Sequence, residues 1–255
     1  MIGAIRMVQR NALVYRRAWR GSVFFSFLQP TLFLIAMGVG VGRLVNRGDA
    51  SLPAGVDFLD FLAPGLLAAA CMQTASFESS WPISGKMTWQ RTYEAITATP
   101  MRIRDLVFGE LAWMAVRLST VAIAFTAIIT LFGVPRSPLV ILAVPAAVLT
   151  GLAFSAPIIA YAATRKRDHF NGLFRFIITP LFLFSGVFFP IARLPEPLQT
   201  VAWFTPLFHG VELVRGLTLN TLESPAWLIH AAYLVSLTVI GIGASLWAFR
   251  RRLHA

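Results

Sequence analysis

The residues most able to do chemistry are ionisable side chains within or beside long apolar segments. Glu78, Glu110 and Arg117 lie in such segments, where a charged group is costly and often has a function. Glu110 and Arg117 are two helical turns apart, so they would share one face of a helix. An ion pair or a lipid head-group contact near a membrane boundary explains these three residues as well as a proton relay does.

The histidines and the single cysteine complete no motif for a metal or a nucleophile. The sequence has four histidines, but no H-E-x-x-H pair, no G-x-S-x-G elbow and no G-x-x-x-x-G-K-[ST] phosphate loop. Cys71 lies in an apolar run and has no second cysteine to pair with. These motifs therefore predict no catalytic residue and no bound metal, and a metal site or nucleophilic triad assembled across several spans stays open.

The composition places these residues in a membrane protein. Of the 255 residues 57% are hydrophobic and 13% are charged, and the mean hydropathy is +0.71, a balance that a soluble domain would hardly show. The net charge of +11 could suggest nucleic acid, but the basic residues cluster beside apolar runs, as membrane topology demands. We expect an all-α polytopic membrane protein without a nucleic-acid partner.

Six apolar runs come close to the ~20 residues needed to cross a bilayer. They cover residues 23–44, 58–81, 106–132, 139–163, 170–191 and 227–249. Before them, arginines alternate with apolar residues over 1–22, which predicts an amphipathic helix at the membrane surface. A frayed basic tail that only sets topology is the alternative.

The basic residues also predict the direction of the spans. Fifteen of the 22 Lys and Arg residues fall in the N-terminal segment, the 82–105 loop, the 164–168 turn and the C-terminal tail, and five fall on the opposite side. Positive charge favours the cytoplasm, so both termini and the 82–105 loop are expected there. Within that loop, residues 89–97 predict a short helix that stops before Thr99-Pro100.

Residues 191–225 are too polar and too rich in proline to span, yet too apolar for a solvated loop. Residues 197–204 and 206–217 predict two short helices, each with proline in its first turn. On the second helix His209, Glu212 and Arg215 recur at every third position. We expect both helices to be re-entrant and to dip into the outer leaflet, where protein would cover their irregular ends.

The fifth apolar run is rich in aromatic residues and contains Pro180, which should bend it. Phe182, Phe184 and Phe188 could line the path of a lipid-like substrate, or could simply face lipid.

Two groups of short motifs stand out along the chain. The first group is Gln90-Arg91-Thr92-Tyr93-Glu94-Ala95, Ala98-Thr99-Pro100 and Gly109-Glu110-Leu111-Ala112-Trp113. The second group is Phe184-Ser185-Gly186, Phe188-Phe189-Pro190, Leu194-Pro195, Leu198-Gln199, Pro206-Leu207, His209, Glu212-Leu213 and Arg215-Gly216. Together these motifs resemble those of the permeases of type-2 ABC exporters, in particular nodulation lipo-oligosaccharide exporters and daunorubicin-resistance permeases.

The resemblance implies one permease domain over residues 1–255 of an ATP-driven exporter. Its parts would be 1–22 (interfacial helix), 23–81 (two spans), 82–105 (coupling loop), 106–191 (three spans), 192–226 (external helices) and 227–255 (last span and tail). Two copies of a separate cytoplasmic ATPase would bind ATP and Mg and hydrolyse the ATP, and this chain would be a non-catalytic membrane subunit that holds no cofactor. The residues implied in coupling are Arg91, Thr92, Tyr93, Glu94, Ala95, Thr99, Pro100 and Glu110.

The same resemblance implies a second permease copy, identical or closely related, in the inner membrane of a bacterium. An amphipathic or lipid-linked substrate, such as a lipo-oligosaccharide, a glycolipid or a hydrophobic drug, would pass between the copies by alternating access. The external gate would comprise Pro206, His209, Glu212 and Arg215.

Two other classes of protein stay open. An ATP-independent carrier or channel would need a set of polar residues lining a pore. An intramembrane glycolipid-modifying enzyme would depend on a single His or Glu.

Overall fold

A computed structural model describes residues 2–42, 56–164, 169–222 and 225–253, although the side chains of residues 2, 18–27, 29, 30 and 39 are outside that description. Several basic residues used above for topology lie outside the described residues, namely Arg43, Arg47, Arg165, Lys166 and Arg167. The described part is helical, with short turns between the helices and no strand, in agreement with the all-α prediction.

Ten α-helices follow one another in the described part of the chain. They are α1 (Ile2–Phe33), α2 (Phe58–Thr88), α3 (Thr92–Thr97), α4 (Ile103–Leu131), α5 (Val140–Thr164), α6 (His169–Leu173), α7 (Thr179–Phe184), α8 (Glu196–Trp203), α9 (Pro206–Leu219) and α10 (Ala226–Leu253). Leu34–Val41 and Phe174–Ile178 are π-helical, and Ile191–Arg193 forms one 3₁₀ turn.

Four of these helices, α2, α4, α5 and α10, are long and apolar enough to cross a membrane. Their most apolar windows have mean hydropathies of 1.4 to 2.0, and their bounds lie close to the second, third, fourth and sixth predicted spans. The chain is therefore a polytopic membrane protein.

Helix α2 runs past the predicted end of its span. With 31 residues it is about 46 Å long, more than the ~30 Å of a hydrocarbon core. It continues through Pro82 to Thr88, so the prediction of a loop beginning at residue 82 was wrong. Ile83 and Met87 are buried in the apolar cluster at this end of the bundle, which stabilises the extra turns.

The predicted surface helix and first span are not separated by a break. Helix α1 passes through residue 22 and continues as the π-helical segment Leu34–Val41. The predicted span over 23–44 extends beyond the described residues, so its end is not defined here.

The fifth predicted span, 170–191, was too long. The helical segment from α6 to α7 ends at Phe184, and Gly186 then adopts a φ of +77°, which a side chain would disfavour. The π-helical turn Phe174–Ile178 comes just before Pro180 and widens the helix where proline removes a hydrogen bond.

Helix α5 is central to the bundle and packs on α2, α10, α9 and α4, while α1 packs along α4. The predicted external helices exist within two residues of their expected bounds, as α8 and α9. Gly210 of α9 lies against α5 so closely that an added Cβ would be 2.4 Å from the side chain of Thr150. Glycine is therefore what lets these two helices touch.

Candidate functional site

A buried carboxylate joins four helices at one end of the bundle. Glu110 of α4 is 3% exposed. Its Oε1 accepts hydrogen bonds from Lys86 Nζ at 2.6 Å and from the Tyr93 hydroxyl at 2.8 Å. Its Oε2 accepts a hydrogen bond from Asn11 Nδ2 at 3.0 Å. One side chain thereby links α4 to α2, α3 and α1.

The short helix α3 depends on this anchor. Six residues are too few for a helix that is stable by itself, so packing must hold it in place. Tyr93 is fully buried, and its ring lies edge-on to Phe249 of α10 at 5.3 Å between centroids. The helix begins at Thr92 and not at residue 89, because Arg91 adopts a left-handed conformation with φ 45°. The predicted start of this helix was therefore wrong by one turn.

The electrostatics of the anchor favour a protonated Tyr93. Burial raises the pKa of Tyr93 well above its usual 10.0, and the adjacent Glu110 carboxylate raises it further. The phenol therefore stays protonated at neutral pH and donates to Glu110. Lys86 supplies the positive charge that a buried carboxylate needs.

The opposite side of α3 faces outward. The side chains of Arg91 and Glu94 are 76% and 57% exposed, and their 3.9 Å ion pair contributes little at such a surface. Ala95, Thr99 and Pro100 are exposed as well, and Thr92 is half-buried. Helix α3 is thus fixed on one side and free to contact a partner on the other.

The structure separates Arg117 from Glu110, although both lie on α4. Arg117 donates from Nη2 to Glu78 Oε1 of α2 at 2.7 Å and from Nη1 to the Tyr15 hydroxyl of α1 at 2.7 Å. Its guanidinium also lies 4.3 Å from the centre of the Tyr15 ring. The charges predicted near the boundary are therefore engaged in ion pairs between helices.

At the other end of the bundle Arg215 of α9 is buried and multiply bonded. It donates to Glu212 Oε1 at 2.8 Å, to the Gly186 carbonyl at 2.8 Å and to the Phe61 carbonyl at 3.3 Å. Its guanidinium also lies over the Phe61 ring. These contacts tie α9 to α2 and to the turn after α7.

His209 does not join Glu212 and Arg215, despite the regular spacing. It is buried with its Nδ1 2.8 Å from the Nδ1 of His230, and its ring stacks on Tyr233 of α10. Pro206 occupies the first turn of α9, where the Thr205 hydroxyl caps the helix by accepting from the Phe208 amide. Among the described residues no group of three His, Cys, Asp or Glu side chains is placed to hold a metal.

The three candidate phenylalanines are only partly brought together. Phe182 and Phe188 meet edge-on at 5.0 Å, and Phe188 also contacts Phe33 of α1. Phe184 is exposed, and the described ring contacts of this pair do not include it. They form part of an aromatic seam between α1 and α7.

Sequence reasoning missed Asn11, Tyr15, Lys86 and His230. Each is a polar residue whose partner comes from a different helix. An asparagine in a basic amphipathic helix and a lysine just beyond a span gave weak signals, because both residue types are common at exposed positions.

Four apolar helices, with a short anchored helix between the first two of them, define a polytopic α-helical membrane protein. The chain belongs to the ABC-2 type transporter family, whose model matches residues 4–219. It is a membrane permease of that family, and the family implies an ABC transporter with an ATPase partner.

Named relatives cover nearly all of the chain. It is 32% identical over 246 residues to Nodulation protein J of Rhizobium leguminosarum bv. viciae, covering 96% of this chain and 93% of that protein. It is 31% identical over 250 residues to Nodulation protein J of Rhizobium meliloti (strain 1021), covering 98% and 93%. A partial match, 28% identical over 138 residues and 51% of each chain, is to the capsule polysaccharide export inner-membrane protein BexB of Haemophilus influenzae.

Proposed function

We propose that this chain is the membrane permease of an ATP-driven exporter that moves an amphipathic or lipid-linked glycan across the inner membrane of a bacterium. Two permease copies would work with two cytoplasmic ATPase subunits that bind ATP and Mg. Six spans cross the membrane in this proposal, with both termini and α3 in the cytoplasm and with α8 and α9 re-entrant from outside.

The observation that carries the proposal is the position of α3. Its inner side is fixed by Tyr93 to the buried Glu110, while Arg91, Glu94 and Ala95 face outward. A rigid-body movement of an ATPase docked on this outer side would therefore reach α1, α2 and α4 together through one carboxylate. Such a connection can bias a permease between inward-facing and outward-facing states.

The proposed cytoplasmic location of α3 is supported by the parts of the chain that meet at its end of the bundle. Met7, Met87, Tyr93 and Phe249 belong to a single buried cluster, so the start of α1, the α2–α3 turn and the end of α10 lie together. These are also the parts that carry most of the basic residues.

The nature of the substrate is inferred from relatives and from charge. One of the relatives named above is named for the export of capsule polysaccharide, and the other two are named Nodulation protein J. The described buried charges, Glu110, Arg117 and Arg215, are each engaged in an ion pair, which argues against an ion-driven carrier. An apolar surface with few free charges suits a lipid-linked substrate.

The external gate is proposed at α9. Arg215 holds this helix on Phe61 and Gly186, whereas Glu212 is 38% exposed and could meet a polar head group. His209 and Pro206 would position the helix against α10 and its own N-terminal turn.

The test is a helix-breaking change in α3. Ala95→Pro removes the local hydrogen bond from the Ala95 amide to the Arg91 carbonyl, and proline in a helix interior costs ~3 kcal/mol. We expect ATP-dependent transport in vesicles to be lost while the chain still inserts in the membrane. Ala95→Ser, which keeps the backbone bond, is the matched control. Full transport by Ala95→Pro would contradict the coupling role of α3.

A further inference from the structure

A cavity of about 610 Å³ opens where the α3–α4 turn meets the end of α10. Its lining includes three arginines, Arg102, Arg104 and Arg250, and three apolar side chains, Met101, Ile103 and Leu253. None of these residues belongs to the proposed coupling residues or to the proposed external gate.

The three arginines have no negative partner among the described residues. Their side chains are exposed and take part in no hydrogen bond or ion pair that the structure describes. The nearest carboxylate along the chain, Asp105, lies against Gly3 of α1, where an added Cβ would be 2.9 Å from it. Three guanidinium groups around one cavity repel one another unless an anion neutralises them.

The first turn of α4 adds to this positive field. Arg102 is the residue before the helix and its side chain makes no capping hydrogen bond, while Asp105, the acidic residue of the first turn, lies against Gly3 of α1. Helix N-termini favour anions, and arginine binds phosphate oxygens in a two-pronged fashion. The charge of the cavity therefore suits a phosphate group.

The position and the apolar wall of the cavity indicate where the phosphate comes from. Trp247, one turn before Arg251 on α10, is 57% exposed and lies under the Arg251 guanidinium at 5.5 Å. Exposed tryptophan followed by arginine at the end of a span is typical of the head-group region. Met101, Ile103 and Leu253 would contact the glycerol and upper acyl carbons of a lipid. A carboxylate from a partner protein would bring no such apolar group to these side chains.

We infer that this cavity binds the phosphodiester head group of an anionic phospholipid from the cytoplasmic leaflet, in the orientation given under the proposed function. Basic pockets between helices on this side of a membrane are suited to such head groups. Thr97, at the end of α3, also lines the cavity, so the bound lipid would brace the α3–α4 turn against α10.

The test is a titration of the purified full-length chain in neutral detergent with dioleoylphosphatidylglycerol, followed by native mass spectrometry. We expect one phosphatidylglycerol per chain to be retained in preference to phosphatidylcholine. The double variant Arg102→Gln, Arg250→Gln should weaken this binding by roughly tenfold or more, because each arginine near the head group adds to the attraction. Arg251→Gln with Arg252→Gln removes the same charge beside the cavity and should change the binding less than about threefold.

Three outcomes would overturn the inference. Equal losses in the two double variants would mean general surface attraction and no defined site. Full displacement of the lipid by inorganic phosphate would assign the cavity to a soluble anion. Unchanged lipid binding by the Arg102→Gln, Arg250→Gln variant would mean that these arginines do not hold the lipid.

The binding readout requires neither ATP nor transport. A failure of the lipid site therefore leaves the Ala95→Pro test of the exporter proposal unaffected, and a failure of that test leaves the lipid measurement interpretable.

Discussion

At the scale of single residues, Glu110 is the residue that links the proposed coupling helix α3 to the other helices of the bundle. Its carboxylate accepts from three side chains on three other helices, and it is almost completely buried. Removing it leaves the Lys86 ammonium without a counter-charge, although the Lys86 side chain is only 16% exposed. A buried charge without its partner is far more costly than an absent pair.

We therefore predict that Glu110→Ala lowers the stability of the detergent-solubilised chain by about 3 kcal/mol. Glu94→Ala, on the exposed face of α3, should change it by less than about 1 kcal/mol. The double variant Lys86→Gln, Glu110→Gln should recover part of the loss, because neither residue is then charged. Thermal unfolding followed by size-exclusion chromatography measures these differences. Equal stability of Glu110→Ala and Glu94→Ala would show that the buried network adds nothing.

The regular spacing of three residues on α9 did not predict their contacts. His209, Glu212 and Arg215 recur at every third position, yet the first turns to His230 and the other two pair with each other. Residues three apart on an α-helix drift around its axis, so neighbours on the next helix decide which way each one is used.

At the scale of elements, the close contact of α9 with α5 keeps the predicted gate helix in place. Gly210 leaves no room for a side chain, since its Cβ would lie 2.4 Å from Thr150 Cγ2 and 2.9 Å from Thr150 Cβ. Thr150 cannot move aside easily, because it is buried and its hydroxyl donates to the Ala146 carbonyl at 2.9 Å.

Gly210→Ala should therefore separate α9 from α5 and lower stability by about 1–3 kcal/mol, the usual cost of overpacking a core. Gly243→Ala on α10 is the matched control, since nothing lies within 4 Å of the added Cβ. It should be neutral or slightly stabilising, because alanine loses less backbone entropy than glycine in a helix. Parallel unfolding curves of the two variants measure the effect, and a neutral Gly210→Ala would disprove the tight contact.

At the scale of the whole molecule, the proposed orientation puts α3 and the end of α10 on the cytoplasmic side and the α9–α10 turn on the outer side. Gln90 and Thr221 are exposed at these two ends. The native Cys71 is fully buried, so it should contribute little background to thiol labelling.

We predict that a membrane-impermeant maleimide labels Thr221→Cys in intact spheroplasts and labels Gln90→Cys only in inverted vesicles. Accessibility follows from the side on which each residue lies, so one reagent tests both ends of the molecule. Unmodified chain, which retains Cys71, is the control for background. Labelling of Gln90→Cys from outside would reverse the proposed topology.

The sequence by itself determined the membrane class, the family, the four confirmed spans and the existence of α3, α8 and α9. Apolar runs and proline positions act locally, so they can be recognised without knowing what lies beside them. The predicted roles of Arg91, Glu94 and the external gate residues stay predictions at this stage.

Only the tertiary structure decided the partners of the buried polar residues and the lengths of α2 and α7. Glu110 with Asn11 and Arg117 with Tyr15 are about a hundred positions apart in the chain, and no local pattern relates them. Helix α2 continues past Pro82 because its last turns are buried against other helices. The basic cavity exists only because the turn before α4 meets the end of α10. Burial and charge pairing depend on which helices pack together in the assembled bundle. They could therefore not be predicted from the sequence alone.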